Sequence, residues 1–385
     1  MPYLSDRFHD LNPQGAVGSA AAPSAAAPAV LNRTGTFDAA AATAGIGRRV
    51  LGQTAALAAV EHALVLAQAG FQDRDRPLAS LLLVGPTGVG KTELVRRLAA
   101  EVRGGPDDLC HIDMGQLAQE HYAASLAGAP PGYAGSKESL SLFDRAKIEG
   151  TTLVPGIVLF DEIEKAHSGV LRTLLGILDH GRLTLANGDT TISFRNALVF
   201  MTSNLGSREV AGRRSGHWRR GWDQLQRAGA SNALVTTGVG LANRVFRQRD
   251  AAAVDGAVRK FFEPEFLNRL DSIVHFDEIS PETAGDIVAL RLEEVTATLS
   301  RRGVDLEVRD GVLEILVALG FDPVNGARSL GRAIREHVLV PAAKALVAHR
   351  ALATDQLLSV RLEPAGDSAL RLVSVDATTV ASRTG

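Results

Sequence analysis

"SLLLVGPTGVGKTELVRRLAAEV", residues 80 to 102, decides how the rest of the chain is read. It runs from an apolar stretch through a glycine-rich turn into a helical stretch, and the turn "GPTGVGKT" at 85 to 92 has the form Gly-x4-Gly-Lys-Ser/Thr. That order of strand, turn and helix is the context this phosphate-binding pattern requires. Gly85, Gly88 and Gly90 let the backbone curl so that successive N–H groups point at phosphate oxygens, and the helix N-terminus adds its dipole. Pro86, Thr87 and Val89 fill the loop between them. Lys91 is placed to reach the β- and γ-phosphates of ATP, and Thr92 to offer its hydroxyl to Mg²⁺.

Short strand-like runs alternate with helical stretches outward from this turn. "LCHIDM" precedes a long polar loop, "GIVLFDE" precedes "SGVLRTLLGILDH", and "NALVFMTSN" and "DSIVHF" follow. Such alternation predicts an α/β fold, a mostly parallel sheet flanked by helices on both faces. Beyond about residue 278 the texture changes to two amphipathic helical stretches and the strand-like runs "VDLEV", "LLSVRLE" and "LRLVSV". This predicts a second, smaller α/β domain over 279–385, after a large domain over 46–278. Residues 1–45, rich in alanine with scattered prolines, read as a disordered leader. Residues 207–255 carry many arginines, from Arg208 to Arg249, with both tryptophans, and read as a basic insertion on the large domain's surface.

Composition bounds the function classes. With 385 residues and a formal net charge of −2, whole-chain charge argues for neither a nucleic-acid nor a membrane partner. Cys110 is the sole cysteine, which excludes an intramolecular disulfide and suits a reducing cytoplasm; in "LCHID" it reads as a buried structural thiol. No apolar run is long enough to span a bilayer.

The run "GIVLFDEIEK" supplies what the phosphate loop needs. Ile157 to Phe160 suit a strand buried on both faces. Asp161 at its end can hold Mg²⁺, directly or through water, and Glu162 is placed to orient and deprotonate an attacking water. A third strand ends at Asn204, whose side chain would lie between these carboxylates and the γ-phosphate.

Taken together, "RRVLGQ", "GPTGVGKTEL", "GAPPGYAG", "VLFDEIEKAH", "LDHGRLT", "FRNALVFMTSNLGS", "PEFLNRLD" and "GFDPVNGARSLGRAI" resemble, in order, the C-terminal ATPase module of Clp-type AAA+ protein unfoldases. The resemblance covers about residues 47 to 350 and implies a P-loop AAA+ domain, a small C-terminal lid domain and a homo-oligomeric ring, a hexamer. It implies that Val50 and Leu51 pack on adenine and that Arg269 is the finger reaching the γ-phosphate of the neighbouring subunit. Arg328 is implied to be the lid arginine that senses nucleotide. Tyr133, in the "GYAG" of a glycine- and proline-rich loop, is implied to face the pore and grip threaded polypeptide, for which flanking glycines and an aromatic face suit it.

Val239, Gly240 and Leu241 fit the aliphatic-Gly-Leu form with which protease-coupled relatives dock on a ClpP-type peptidase; they fit an extended surface loop equally well. The cluster "RRSGHWRRGW" admits an acidic partner or nucleic acid, though a solvated basic face is the plainer reading. The expected function is therefore an ATP-dependent unfoldase that threads polypeptide. A nucleotide-gated assembly module and a nucleic-acid motor on the same core are the competing readings.

Overall fold

The computed structural model describes residues 37–71, 73–118, 142–151, 153–185, 191–207, 251–322, 325–351, 358–366 and 369–374. Tyr133, the 239–241 tripeptide and the basic stretch from 208 to 250 lie outside the described residues.

The chain enters through α1 (Ala39–Gly47) and α2 (Thr54–Ala69), then β1 (Ala79–Val84) and α3 (Lys91–Arg103). There follow β2 (Cys110–Asp113), α4 (Arg145–Glu149), β3 (Gly156–Asp161), α5 (Ser168–His180), a small antiparallel hairpin of β4 (Arg182–Thr184) and β5 (Thr191–Ser193), and β6 (Ala197–Ser203). A helix over 251–261, here α6, leads to α7 (Pro264–Leu267) and β7 (Ser272–His275). The five-stranded sheet has the order β2-β3-β6-β1-β7, and all its pairings are parallel.

Alternation along the central strands explains the two layers. Leu81, Leu83, Leu198, Phe200, Ile157 and Leu159 face one apolar core with α1, α2 and α3. Leu82, Val84, Val199, Met201, Val158 and Phe160 face a second core with α5 and α6. A strand buried on both faces carries no polar stripe, which is why these runs are near-continuously apolar. Among the described residues no helix is long and apolar enough to cross a membrane.

The second domain begins with α8 (Pro281–Ser300), capped by the Ser280 hydroxyl on the Thr283 amide and carrying proline in its first turn, a strong local start signal. It continues through β8 (Val304–Val308), α9 (Val312–Gly320), α10 (Ala327–Ile334), a π-helical turn (Arg335–Leu339), α11 (Val340–Ala351), β9 (Leu358–Pro364) and β10 (Leu370–Ser374). Its three strands are ordered β10-β9-β8. Its apolar residues, among them Val288, Leu292, Leu316 and Leu330, join the core on the α1–α3 side of the large sheet.

Two sequence boundaries need correction. Of the stretch read as a disordered leader to residue 45, residues 1–36 lie outside the described residues and 39–45 belong to α1, with Phe37 just before it and Ala42 and Ile46 within it buried. Small side chains were misleading there: they let helices approach closely, and a methyl added at Gly45 would come within 2.3 Å of the Glu101 carboxyl carbon on α3. The basic insertion read to residue 255 also gives way earlier, since Val254 and Val258 of α6 lie in the second core.

Candidate functional site

The turn between β1 and α3 forms the floor of a cleft of about 740 Å³ between the two domains. Gly88 and Gly90 take positive φ, at 77° and 106°, conformations that a side chain would oppose. Gly88 is also hemmed in: a Cβ there would lie 2.2 Å from the Asn325 carbonyl oxygen. Its own carbonyl accepts from the Ala327 amide at 2.9 Å, so the first turn of α10 is bonded directly to the phosphate loop.

Lys91 is 7% exposed, and its ammonium donates to the Gly85 and Pro86 carbonyls at 2.7 Å each and to Asn204 Oδ1 at 2.9 Å. Burial pushes its pKa down to about 8, with Arg328 adding to the fall and Glu164 and Asp161 opposing it. Carbonyl and amide oxygens thus satisfy all three donors of a cation whose position suits an anionic ligand.

Across the loop, Thr92 Oγ1 lies 3.3 Å from both Asp161 oxygens. Thr202, in the middle of β6's polar end, donates its hydroxyl to Asp161 Oδ1 and accepts from the Glu162 amide at 2.9 Å. His111, from β2, meets Asp161 Oδ2 at 3.2 Å. Burial raises the Asp161 carboxyl, but the bonds from His111 and Thr202, with the His111 charge and the Thr92 hydroxyl, hold it below the usual carboxylate range. Among the described residues Glu162 alone is a non-glycine with positive φ, at 58°. Such conformations cost free energy and concentrate at functional positions. Its carboxylate takes Lys165 Nζ on one oxygen and Asn204 Nδ2, at 3.4 Å, on the other. The Asn204 amide in turn donates to Glu164 Oε1 at 3.0 Å.

The structure brings together most of the residues expected from sequence. Val50, Leu51, Thr87 through Thr92, Asp161, Glu162, Asn204 and Arg328 all line the one cleft. Gly85 and Pro86 stand just behind it as acceptors for Lys91. Arg269 is not in the cleft of its own chain; its guanidinium pairs with Asp179 at the end of α5. Cys110 is buried, and desolvation raises its thiol pKa to about 11, so it is an unreactive core residue.

Several contributors were missed. Ile279, Ile287 and Leu290 add apolar lining to the cleft, from the start of the lid and from α8. Gln53, 3% exposed, donates to the Val89 and Asp277 carbonyls and accepts from the Asp277 amide, tying the Val50–Leu51 segment to the phosphate loop and to the chain just before the small domain. Thr202 had a signal, a hydroxyl residue where the apolar run of β6 gives way to Thr202–Ser203; the α8 wall had none beyond ordinary amphipathic spacing.

Comparison with known proteins places this geometry. The profile of the family described as AAA domain (Cdc48 subfamily) matches residues 76–279, and that of the C-terminal, D2-small domain of ClpB protein matches 279–358. The chain belongs to the Clp group of AAA+ ATPases. It is 49% identical over 368 residues to an "ATP-dependent protease ATP-binding subunit-like protein" of Rhodococcus erythropolis, covering 95% of this chain and 98% of that one. It is 38% identical to the "Chaperone protein ClpB" of Meiothermus ruber, covering 78% of this chain but 32% of ClpB. Among solved structures, Hsp104 in a closed state with ATPγS and FITC casein superposes with a TM-score of 0.66 at 27% identity. That match covers 87% of this chain and 51% of Hsp104. The expected recognition, α/β AAA+ fold and ATPase class therefore hold for this Clp relative.

Proposed function

We propose that this Clp-type ATPase is the motor subunit of a homo-oligomeric ring, a hexamer, that pulls polypeptide through a central pore. The observation that carries the reading is the bond between Gly88 and Ala327, because a lid that touches the phosphate loop is placed to move when phosphates are bound or lost. Similarity to ClpB, and to Hsp104 solved with casein, supports polypeptide as the substrate class.

ATP fits the cleft: the glycine cradle excludes side chains, Lys91 supplies a buried cation and the Val50–Ile287 side is apolar. Mg²⁺ fits the oxygen-only pair of Thr92 and Asp161, and no cluster of three His, Cys, Asp or Glu among the described residues competes as a site. The ion would neutralise charge on the β- and γ-oxygens. Glu162 is assigned the role of general base, with Asn204 fixing it relative to Lys91. Arg269 is assigned the finger that serves the next subunit, consistent with its absence from its own cleft. Arg328 on α10 is assigned the sensor, and Tyr133 the grip in the pore.

A second reading adds a ClpP-type peptidase docked through Val239, Gly240 and Leu241. It is favoured by the protease-subunit names of the Rhodococcus relative and of AmiB from Pseudomonas aeruginosa, 43% identical over 81% of each chain. One experiment tests both: the purified protein, ATP and a loosely folded fluorescent protein, with and without a ClpP-type peptidase. ATP-dependent unfolding that disappears in Tyr133→Ala supports threading, and peptide release that disappears in Leu241→Ala supports docking. Unfolding unaffected by Tyr133→Ala refutes the pore assignment.

A further inference from the structure

The surroundings of Arg269 are more closely built than a surface arginine requires. Its amide donates to the Phe266 carbonyl at 3.1 Å, and its carbonyl accepts from the Arg76 guanidinium at 2.5 Å. Arg76 also donates through Nε to the Leu178 carbonyl in the last turn of α5. Two residues beyond Arg269, the Asp271 amide donates to the Ser80 carbonyl at 2.9 Å, and its carboxylate accepts from the Ser80 amide at 2.6 Å. The backbone that carries Arg269 is thus tied to the start of β1 and to the end of α5.

The side chain is held separately. The Asp179 carboxylate forms an ion pair with the guanidinium at Nε, without the geometry of a hydrogen bond, and Nε is buried although the Arg269 side chain as a whole is 41% exposed. The exposed part is therefore the rest of the side chain. Asp179 is the next-to-last residue of α5, where a carboxylate opposes the negative end of the helix dipole. Its position is locally unfavourable and gains its compensation from the arginine. Arginine carries large rotamer entropy, and fixing it at Nε restricts the fork while leaving its terminal amino groups as the part that can engage a phosphate.

We propose that Asp179 is a positioning residue for Arg269, holding the guanidinium in the orientation in which it meets the nucleotide of the neighbouring subunit. The inference rests on the finger role assigned to Arg269 above. It also gives α5 a definite task. The helix starts three residues after Lys165, beside the Glu162 carboxylate, and ends at Asp179, so one element joins a subunit's own hydrolytic group to the arginine it lends.

The test is steady-state phosphate release by the full chain over a range of ATP concentrations. The variants are Asp179→Ala, the isosteric Asp179→Asn, Asp179→Glu, Arg269→Ala and the double variant Asp179→Ala with Arg269→Ala. Binding of a fluorescent ATP analogue and thermal melting accompany each. A displaced finger should lower kcat by about 10- to 100-fold in Asp179→Ala and Asp179→Asn, with KM, analogue binding and melting close to the parent. Asp179→Glu should recover most of the rate, and the double variant should be no slower than Arg269→Ala alone.

Wild-type kcat in both Asp179→Ala and Asp179→Asn, with Arg269→Ala inactive, overturns the inference and leaves the finger role standing. A double variant slowed further by the full factor of Asp179→Ala overturns it too, since Asp179 would then act independently of the arginine. Wild-type kcat in Arg269→Ala removes the finger role and the inference with it.

Discussion

At the phosphate end of the cleft the lining comes from one contiguous loop, Thr87 to Thr92, and the ends of β3 and β6. At the other end it comes from three separated stretches: Val50 and Leu51, the lid's first residues at Ile279, and α8 with Ile287 and Leu290. One end is held by hydrogen bonds within a single rigid sheet; the other exists only while the small domain rests on the large one. The lid contributes to both through the Ala327–Gly88 bond, which makes the wall at one end sensitive to what occupies the other. A motor needs that asymmetry, a fixed chemical end and a movable binding end.

The largest expected effect lies at the fixed end. Lys91→Ala removes a buried cation that reaches Asn204 and two loop carbonyls, and hydrolysis should fall about 10²- to 10³-fold or more, measured as phosphate release. A parent-like rate would break the comparison, because it would show that the contiguous loop does not do the chemistry.

Next comes pH. In the free protein Lys91 titrates at about 8, well below its ordinary value, through burial. Bound phosphates favour the charged form, so ATP affinity should weaken as pH rises past about 8, by up to tenfold per unit. The sign for folding is opposite. The folded chain holds fewer protons than the unfolded chain between about 8 and the ordinary lysine value of 10.5, so this group makes stability rise with pH across that window. Calorimetric titration with ATP from pH 7 to 9.5 checks the first statement, and a flat affinity would contradict it.

At the movable end, Ile287→Ala should weaken ATP binding by about fivefold through lost apolar contact, while leaving inorganic tripolyphosphate binding unchanged. Equal losses for the two ligands would mean that the ends are not separable. The smallest effect belongs to the exposed pair of Arg49 and Glu294, which bridges large domain and lid at 2.5 Å. Glu294→Ala should cost no more than about 1 kcal/mol in thermal melting.

The same division governs what could be read from the sequence. The place of Gly85 to Thr92, Asp161, Glu162 and Asn204 at the cleft was legible because each follows or ends a buried strand at a motif spacing, with Lys91 and Thr92 opening the helix after the turn. Ile287 and Leu290 were not, because on an amphipathic helix an apolar residue facing a ligand has the same period as one facing a core. Helix α1 was misread for a related reason: its alanines and glycines offer no pattern, and their burial depends on how closely α3 approaches. Asp179 could not be singled out at all, since only the folded chain brings the end of α5 to Arg269.

The most direct test of an ATP-driven motor in this cleft is phosphate release by the parent chain and by Glu162→Gln, each with and without unfolded casein, alongside ATP binding. The account predicts parent turnover that rises with casein, and a Glu162→Gln variant that binds ATP as tightly yet barely hydrolyses it. Parent-like turnover in Glu162→Gln would contradict the assignment of the reaction to this site.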